Sequence, residues 1–261
     1  MERQGRNGVQ MRQPSRVKNV LLLKAGDAAE HVRRSVGDYE QWFLRTIGLS
    51  GYRFDILPVH RDAPLPPDAS GYDAVLMTGS PLSVTQLAPW MTRAADFMLT
   101  AAERGRPVLG VCFGHQLLAR AYGGHVARNP EGRETGTVTV SLTDAGRADA
   151  LFDGVPEHFE AQATHEDVVI QVPEGARVLA GNRNTAAQAL AFRANVRGVQ
   201  FHPEAPPEAL RAVIEARCEG LEAEAVSRGE RPGQCVPRLL SGLRPTPAGP
   251  RILLNFLERF T

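Results

Sequence analysis

The sequence predicts an α/β fold: a doubly wound, mostly parallel sheet flanked by helices, with a small antiparallel extension. Two observations carry this expectation. In the first half, short apolar runs alternate with amphipathic stretches of helical period, which is the pattern of strand–helix–strand units. Beyond Gly136 the helices drop out and short strands follow one another closely, as they do where neighbours pair antiparallel.

Residues 17–23 form an apolar run closed by Ala25-Gly26-Asp27, which suits a strand buried on both faces. Tyr39, Trp42, Phe43 and Ile47 recur at helical spacing up to Gly48, predicting a helix over 39–47 whose aromatic face belongs to the core. Strands follow at 54–59 and 74–78, separated by a Pro-rich turn at 64–67. A helix over 90–103 precedes a buried strand at 108–111, which runs directly into a helix over 113–122 that stops at Gly123-Gly124. The later strands fall at 137–142, 168–172, 177–180, 187–192 and 196–201. A long helix is expected over 209–226, then a Pro- and Gly-rich loop over 231–250, then a last helix over 251–260.

Hydrophobic residues make up 43% of the 261 and charged residues 23%, the composition of a chain that can bury a substantial core. One domain over residues 17–261 is the working expectation, with 205–261 a C-terminal helical extension and 1–16 a disordered basic tail. A formal charge of +1 gives no global field for nucleic acid or an anionic membrane, so neither is an expected partner. Three widely spaced cysteines do not make a disulfide framework and fit a reducing compartment, so the cytoplasm is expected. His31, His60, His125 and His158 lack ligand spacing, and no metal site is expected.

The sharpest local signal is Gly110-Val111-Cys112-Phe113-Gly114, a strand entering a tight turn with glycines on both sides of a nucleophile-type residue. The helix that starts at Phe113 points its free amides and positive dipole end at Cys112, which favours the thiolate. The competing reading is an inert core cysteine, and the flanking glycines argue against it. Phe201-His202-Pro203-Glu204, at a predicted strand end, supplies a proton carrier and a carboxylate to hold it; residues two apart on a strand share a side. Taken alone, a His-x-Glu pair at a strand end is weak evidence and reads rather as a solvated loop; the cysteine motif is what gives it weight. An oxyanion needs amide donors, and candidates are the backbone N–H of Phe113 and those of Gly79 and Ser80, where a buried strand ends at Thr78-Gly79-Ser80-Pro81.

Those three segments, with His115-Gln116 extending the first, resemble in their order along the chain the motifs of class I glutamine amidotransferases, especially stand-alone members similar to GMP-synthase-like amidotransferases and plant γ-glutamyl peptidases. The resemblance implies a flavodoxin-like sheet, Cys112 as nucleophile, His202 as general base and acid, and Glu204 as third member. It also implies oxyanion amides at Ser80 and Phe113, and substrate contacts from Gln116 and from Thr164, His165 and Glu166. Two positions depart from the pattern. Glu166 replaces a glycine, adding bulk and negative charge beside the expected α-carboxylate position. Ser80 also replaces a glycine and would be strained if the turn required positive φ.

Three functions follow as expectations. The first is a glutaminase that releases ammonia from a small-molecule γ-glutamyl substrate, glutamine, through a thioester and without a cofactor. No Gly-x-x-x-x-Gly-Lys-Ser/Thr run occurs, so amination would fall to a separate synthetase subunit. The alternative is a stand-alone γ-glutamyl peptidase, which Glu166 favours. The third, a non-catalytic binding protein, has no use for a thiolate at a strained elbow. Arg133 and Glu134 lie where the resemblance brings a loop near the pocket, with a solvated role equally open.

Overall fold

Successive residues of the first strand feed opposite cores. In β1 (Lys18–Leu23), Val20 and Leu22 pack with Phe43, Leu109, Phe201 and Phe256, while Leu21 and Leu23 pack with Trp90, Met98, Phe113 and Leu118. All four are fully buried. A strand covered on both faces needs helices on both sides, which is the physical content of a doubly wound sheet. The computed structural model describes residues 16–261. The basic tail expected over 1–16 lies outside them except for Arg16, which is exposed and pairs with Asp73.

The remaining elements are α1 (Glu30–Val36), α2 (Tyr39–Ile47), β2 (Tyr52–Leu57), β3 (Ala74–Met77), α3 (Pro89–Glu103), β4 (Val108–Val111), α4 (Phe113–Ala121), β5 (His125–Arg128), β6 (Glu134–Leu142), α5 (Asp144–Arg147), β7 (His158–His165), β8 (Asp167–Gln171), β9 (Arg177–Gly181), β10 (Ala189–Arg193), β11 (Val196–Val199), α6 (Pro207–Ala216), α7 (Cys218–Ser227), α8 (Cys235–Ser241) and α9 (Ala248–Arg259). The main sheet runs β2-β1-β3-β4-β11-β10-β9-β6-β7. Its first five strands are parallel and the rest pair antiparallel, so the extension expected from the sequence is in place. β5 and β8 form a separate antiparallel pair. In the parallel part the chain reverses direction across the sheet beside β1, and the carboxyl ends of β3, β4 and β11 open on one side, where ligands of such sheets bind.

Local chemistry fixes the elements near the site. Asp38 caps α2 by accepting from the Tyr39 amide while Gln41 returns a bond to the Asp38 amide, and Gly48 at φ 78° ends the helix. α4 starts without any connecting residue beyond Cys112 itself.

The structure corrects the C-terminal reading. The single helix expected over 209–226 is two, broken at Arg217; α6 buries Ala209, Ala212 and Val213 against Tyr39 and Trp42 on one side, and on the other its Leu210 and Ile214 join Leu221 of α7 against Leu239 and Leu240. The loop expected over 231–250 contains α8 and the start of α9. Pro237 and Pro250 each sit in the first turn of a helix, where a missing N–H costs no intrahelical bond. α1, β5 and β7 were not expected; β7 is built on Ala161 and Ala163, residues of weak strand propensity.

Candidate active site

Cys112 sits at φ 50°, ψ −99°, a backbone conformation that L-residues rarely adopt, between the end of β4 and the first residue of α4. The two glycines of the elbow are there for space. A Cβ on Gly110 would stand 2.4 Å from the carbonyl carbon of Gly114, and one on Gly114 would stand 2.9 Å from the carbonyl oxygen of Met77. The turn can be this tight only because both are absent. Phe113, first in α4, stacks on Trp90 with ring centroids 5.6 Å apart, holding the helix start in place.

His202 and Glu204 follow β11. Nδ1 of His202 donates to Oε1 of Glu204 at 2.8 Å, and both side chains are buried. The His202 amide donates to the Gln162 carbonyl at 2.8 Å, tying this segment to β7. A Cβ built on Gly79 would lie 2.8 Å from Cε1 of His202 and 3.5 Å from Cβ of Cys112, so one small volume is bounded by both residues. Burial works to lower the His202 pKa, but the Glu204 carboxylate and the Cys112 sulfur outweigh it and raise it to about 10. Nε2 of His202 is buried and makes no hydrogen bond among the described residues.

The turn after β3 lies opposite. The amides of Gly79 and Ser80 donate to no backbone carbonyl among the described residues. Ser80 is not at positive φ, so the strain expected there does not arise. Its hydroxyl instead donates to the Ala25 carbonyl at 2.9 Å and accepts from the Leu82 amide. Phe113 likewise presents a leading helix amide with no carbonyl one turn back.

A cavity of about 590 Å³ opens beside Cys112, bounded by Ser80, Phe113 and Gln116, by Thr164, His165 and Glu166, and by Arg217 and Glu224 from the helices after Glu204. The sequence-predicted contacts therefore share one space. Nε2 of Gln116 donates to the carbonyl of Asp167 at 2.7 Å and to Oε1 of Gln200 at 3.1 Å, leaving its carbonyl oxygen for a ligand. Glu166 does not offer the free negative charge expected of it: Arg128 and Arg133 both pair with it, and Arg133 also grips Glu224 of α7.

Arg133 and Glu134 are not solvated. The buried Glu134 carboxylate accepts from His165 Nε2 at 2.9 Å, Asn182 Nδ2 at 2.6 Å, Thr185 Oγ1 at 3.0 Å and Gln188 Nε2 at 2.7 Å. Burial works to raise its pKa, but these donors, His165 foremost, hold it below the ordinary carboxylate value. His115 is walled in against Gly198, where a Cβ would meet its Nδ1 at 2.6 Å. Burial depresses its pKa to about 3, which fits a packing role.

A family model described as "Glutamine amidotransferase class-I" matches residues 35–218. The chain belongs to that family. Gamma-glutamyl peptidase 4 of Arabidopsis thaliana is 29% identical to this class I glutamine amidotransferase-family chain, over 76% of it and 80% of the plant protein. A glutamine-hydrolyzing GMP synthase subunit of Sulfurisphaera tokodaii is 38% identical over 51% of this chain and 68% of its own. A solved glutamine amidotransferase of Thermotoga maritima superposes with a TM-score of 0.73 at 20% identity, covering 94% of this chain and 99% of its own, a likeness of fold.

Two residues that face the site were not singled out by sequence. Arg217 reaches the cavity because the helix breaks there, and its Nη1 donates to Thr164 Oγ1 at 3.2 Å. No carboxylate of the described residues lies within 4 Å of its guanidinium, unlike Arg128 and Arg133. Tyr39 borders a second, smaller cavity with His202, although its spacing reads as core. Nothing in the local sequence marks a helix break at Arg217. Among the described residues no group of three or more His, Cys, Asp or Glu side chains is placed to hold a metal, and no helix is long and apolar enough to cross a membrane.

Proposed function

We propose that this protein is a cysteine hydrolase of γ-glutamyl amide bonds, with Cys112 as nucleophile, His202 as proton carrier and Glu204 as its anchor. The observation that carries this is the buried His202–Glu204 pair brought against the strained elbow of Cys112. The thiolate attacks the amide carbon, forming the C–S bond. The amides of Ser80 and Phe113, with Gly79 beside them, receive the oxyanion. His202 then protonates the departing nitrogen, and the C–N bond breaks to leave a γ-glutamyl thioester, which water hydrolyses. Gln116, Thr164, His165 and Glu166 line the substrate's cavity, and no cofactor takes part. Residues 17–261 act as one unit in a reducing compartment such as the cytoplasm, with Cys112, Cys218 and Cys235 all free.

With glutamine as substrate the product is ammonia. The likeness to the Sulfurisphaera tokodaii GMP synthase subunit supports a separate synthetase as its consumer. A second reading, a γ-glutamyl peptidase, is favoured by Arg217: a guanidinium facing the cavity without a carboxylate partner suits a leaving group that ends in a carboxylate.

The test compares product release from glutamine and from γ-glutamyl dipeptides by wild type and Cys112→Ala. Cys112-dependent cleavage of dipeptides with little ammonia from glutamine assigns the peptidase; Cys112-dependent ammonia release assigns the glutaminase. Turnover that survives Cys112→Ala refutes both.

A further inference from the structure

Cys112 and His202 border different cavities. The large one touches Cys112 and the substrate-lining residues, whereas a second, of only about 20 Å³, touches His202. Ser80, Thr164 and Arg217 are common to both, so the two meet at the reaction centre. The small cavity has an apolar wall of Trp42, Ala205, Leu210 and Val213. Trp42 directs its indole N–H away, to the carbonyls of Val36 and Gly37. The polar groups that remain are Ser80, whose hydroxyl is engaged with Ala25 and Leu82, Thr164 and Arg217, which bond each other, the Tyr39 hydroxyl and the His202 ring, whose Nε2 is otherwise without a partner. Most of Tyr39 is buried, but its hydroxyl, which makes no hydrogen bond to protein among the described residues, is not among the closed-off buried polar atoms and so stays open to a water. Space of this size with two to four polar partners suits an ordered water and is too small for a substrate.

We infer that the small cavity seats the water that hydrolyses the γ-glutamyl thioester, and that the Tyr39 hydroxyl aims it. The inference rests on the hydrolase reading above. With the glutamyl group in the large cavity, water held in the small one stands beside the ring that takes its proton. Neutral His202 takes one proton as the water oxygen bonds to the thioester carbon. The tetrahedral intermediate then collapses, the C–S bond breaks, and glutamate leaves the Cys112 thiolate beside protonated His202, ready for the next cycle.

The experiment uses γ-glutamyl p-nitroanilide with the full chain, following p-nitroaniline release in the first turnover and at steady state, with intact mass of the quenched protein. Tyr39→Phe is expected to keep its first-turnover rate within about twofold while steady turnover falls about 3- to 10-fold, the worth of one neutral hydrogen bond. The acylated protein should accumulate, and hydroxylamine, which reaches the thioester through the large cavity, should restore turnover. Ala205→Val, which fills the small cavity, should act in the same direction. If both variants deacylate like wild type, or if Tyr39→Phe slows acylation and deacylation equally, the cavity is not the water site. If Cys112 of the wild type is never acylated, the hydrolase reading itself fails, and the inference with it.

Discussion

Gly79 and His202 touch at the one point where a side chain on the glycine would begin: a Cβ there would stand 2.8 Å from Cε1 of the ring. That atom is the side chain's, so the imidazole rather than the backbone would yield. Gly79→Ala is therefore expected to fold with a melting temperature close to wild type while turnover falls about 100-fold, the cost of displacing a reacting group by about 1 Å. Calorimetry and kcat measured together check it; equal losses in both would mean that the ring is not what moves.

The elbow glycines predict the opposite balance. At Gly110 the added methyl would meet the Gly114 backbone at 2.4 Å, and backbone cannot rotate away. Gly110→Ala should destabilise by about 3 kcal/mol, which lowers the melting temperature by roughly 6–12 °C in a chain of this size. Gly114→Ala, with its nearest contact at 2.9 Å, should lose less. A reversed order in thermal melts would contradict this account of the turn.

Much of this was legible in the sequence, for identifiable reasons. Val20 to Leu23, Ala74 to Met77 and Val108 to Val111 are apolar at every position because both faces are covered, and such runs are hard to misread. Cys112 and His202-Pro203-Glu204 announce themselves because a tight turn needs glycine and a dyad needs short spacing. What stayed hidden depends on contacts distant in the chain. Pro237 and Pro250 look like loop residues until a helix is seen to begin just before each. Glu134 looks like a loop charge until Asn182, Thr185 and Gln188 arrive around it. Arg217 faces the cavity from the junction of α6 and α7, a break that no local residue announces.

Glu134 is buried with four donors aimed at its two oxygens, so removing its charge leaves donors unanswered. Glu134→Gln presents an NH₂ to groups that are themselves donors. A loss of about 3 kcal/mol or more is expected, together with a raised KM because His165 loses its anchor. Denaturant unfolding and substrate titration check the two effects; wild-type stability would show that the network holds nothing in place.

Arg217→Ala should separate substrates by their leaving groups. A charge-assisted hydrogen bond is worth about 1.5–3 kcal/mol, so KM for a γ-glutamyl dipeptide with a free carboxylate should rise roughly 10- to 150-fold. The p-nitroanilide, which has no carboxylate on its leaving side, should keep its wild-type KM. A uniform loss on both would make Arg217 a part of the cavity wall and nothing more.

The His202 pKa sets the alkaline behaviour. Burial pulls it down, but Glu204 and Cys112 raise it to about 10, so the ring stays protonated through neutral pH. Activity that needs the protonated ring to release the leaving nitrogen should therefore fall only as pH approaches 10. Linkage gives the matching stability effect. A group whose folded pKa exceeds its unfolded value of 6.5 stabilises fully below pH 6.5, and that contribution is lost as pH rises to about 10. In Glu204→Gln the main raising charge is gone, so the alkaline limb of kcat should move down toward the ordinary histidine range. The gap in melting temperature between wild type and Glu204→Gln should be widest below pH 6.5 and narrow steadily toward pH 10. A gap that stayed constant across that window would mean that Glu204 acts on the fold by packing alone and does not hold the charge of His202.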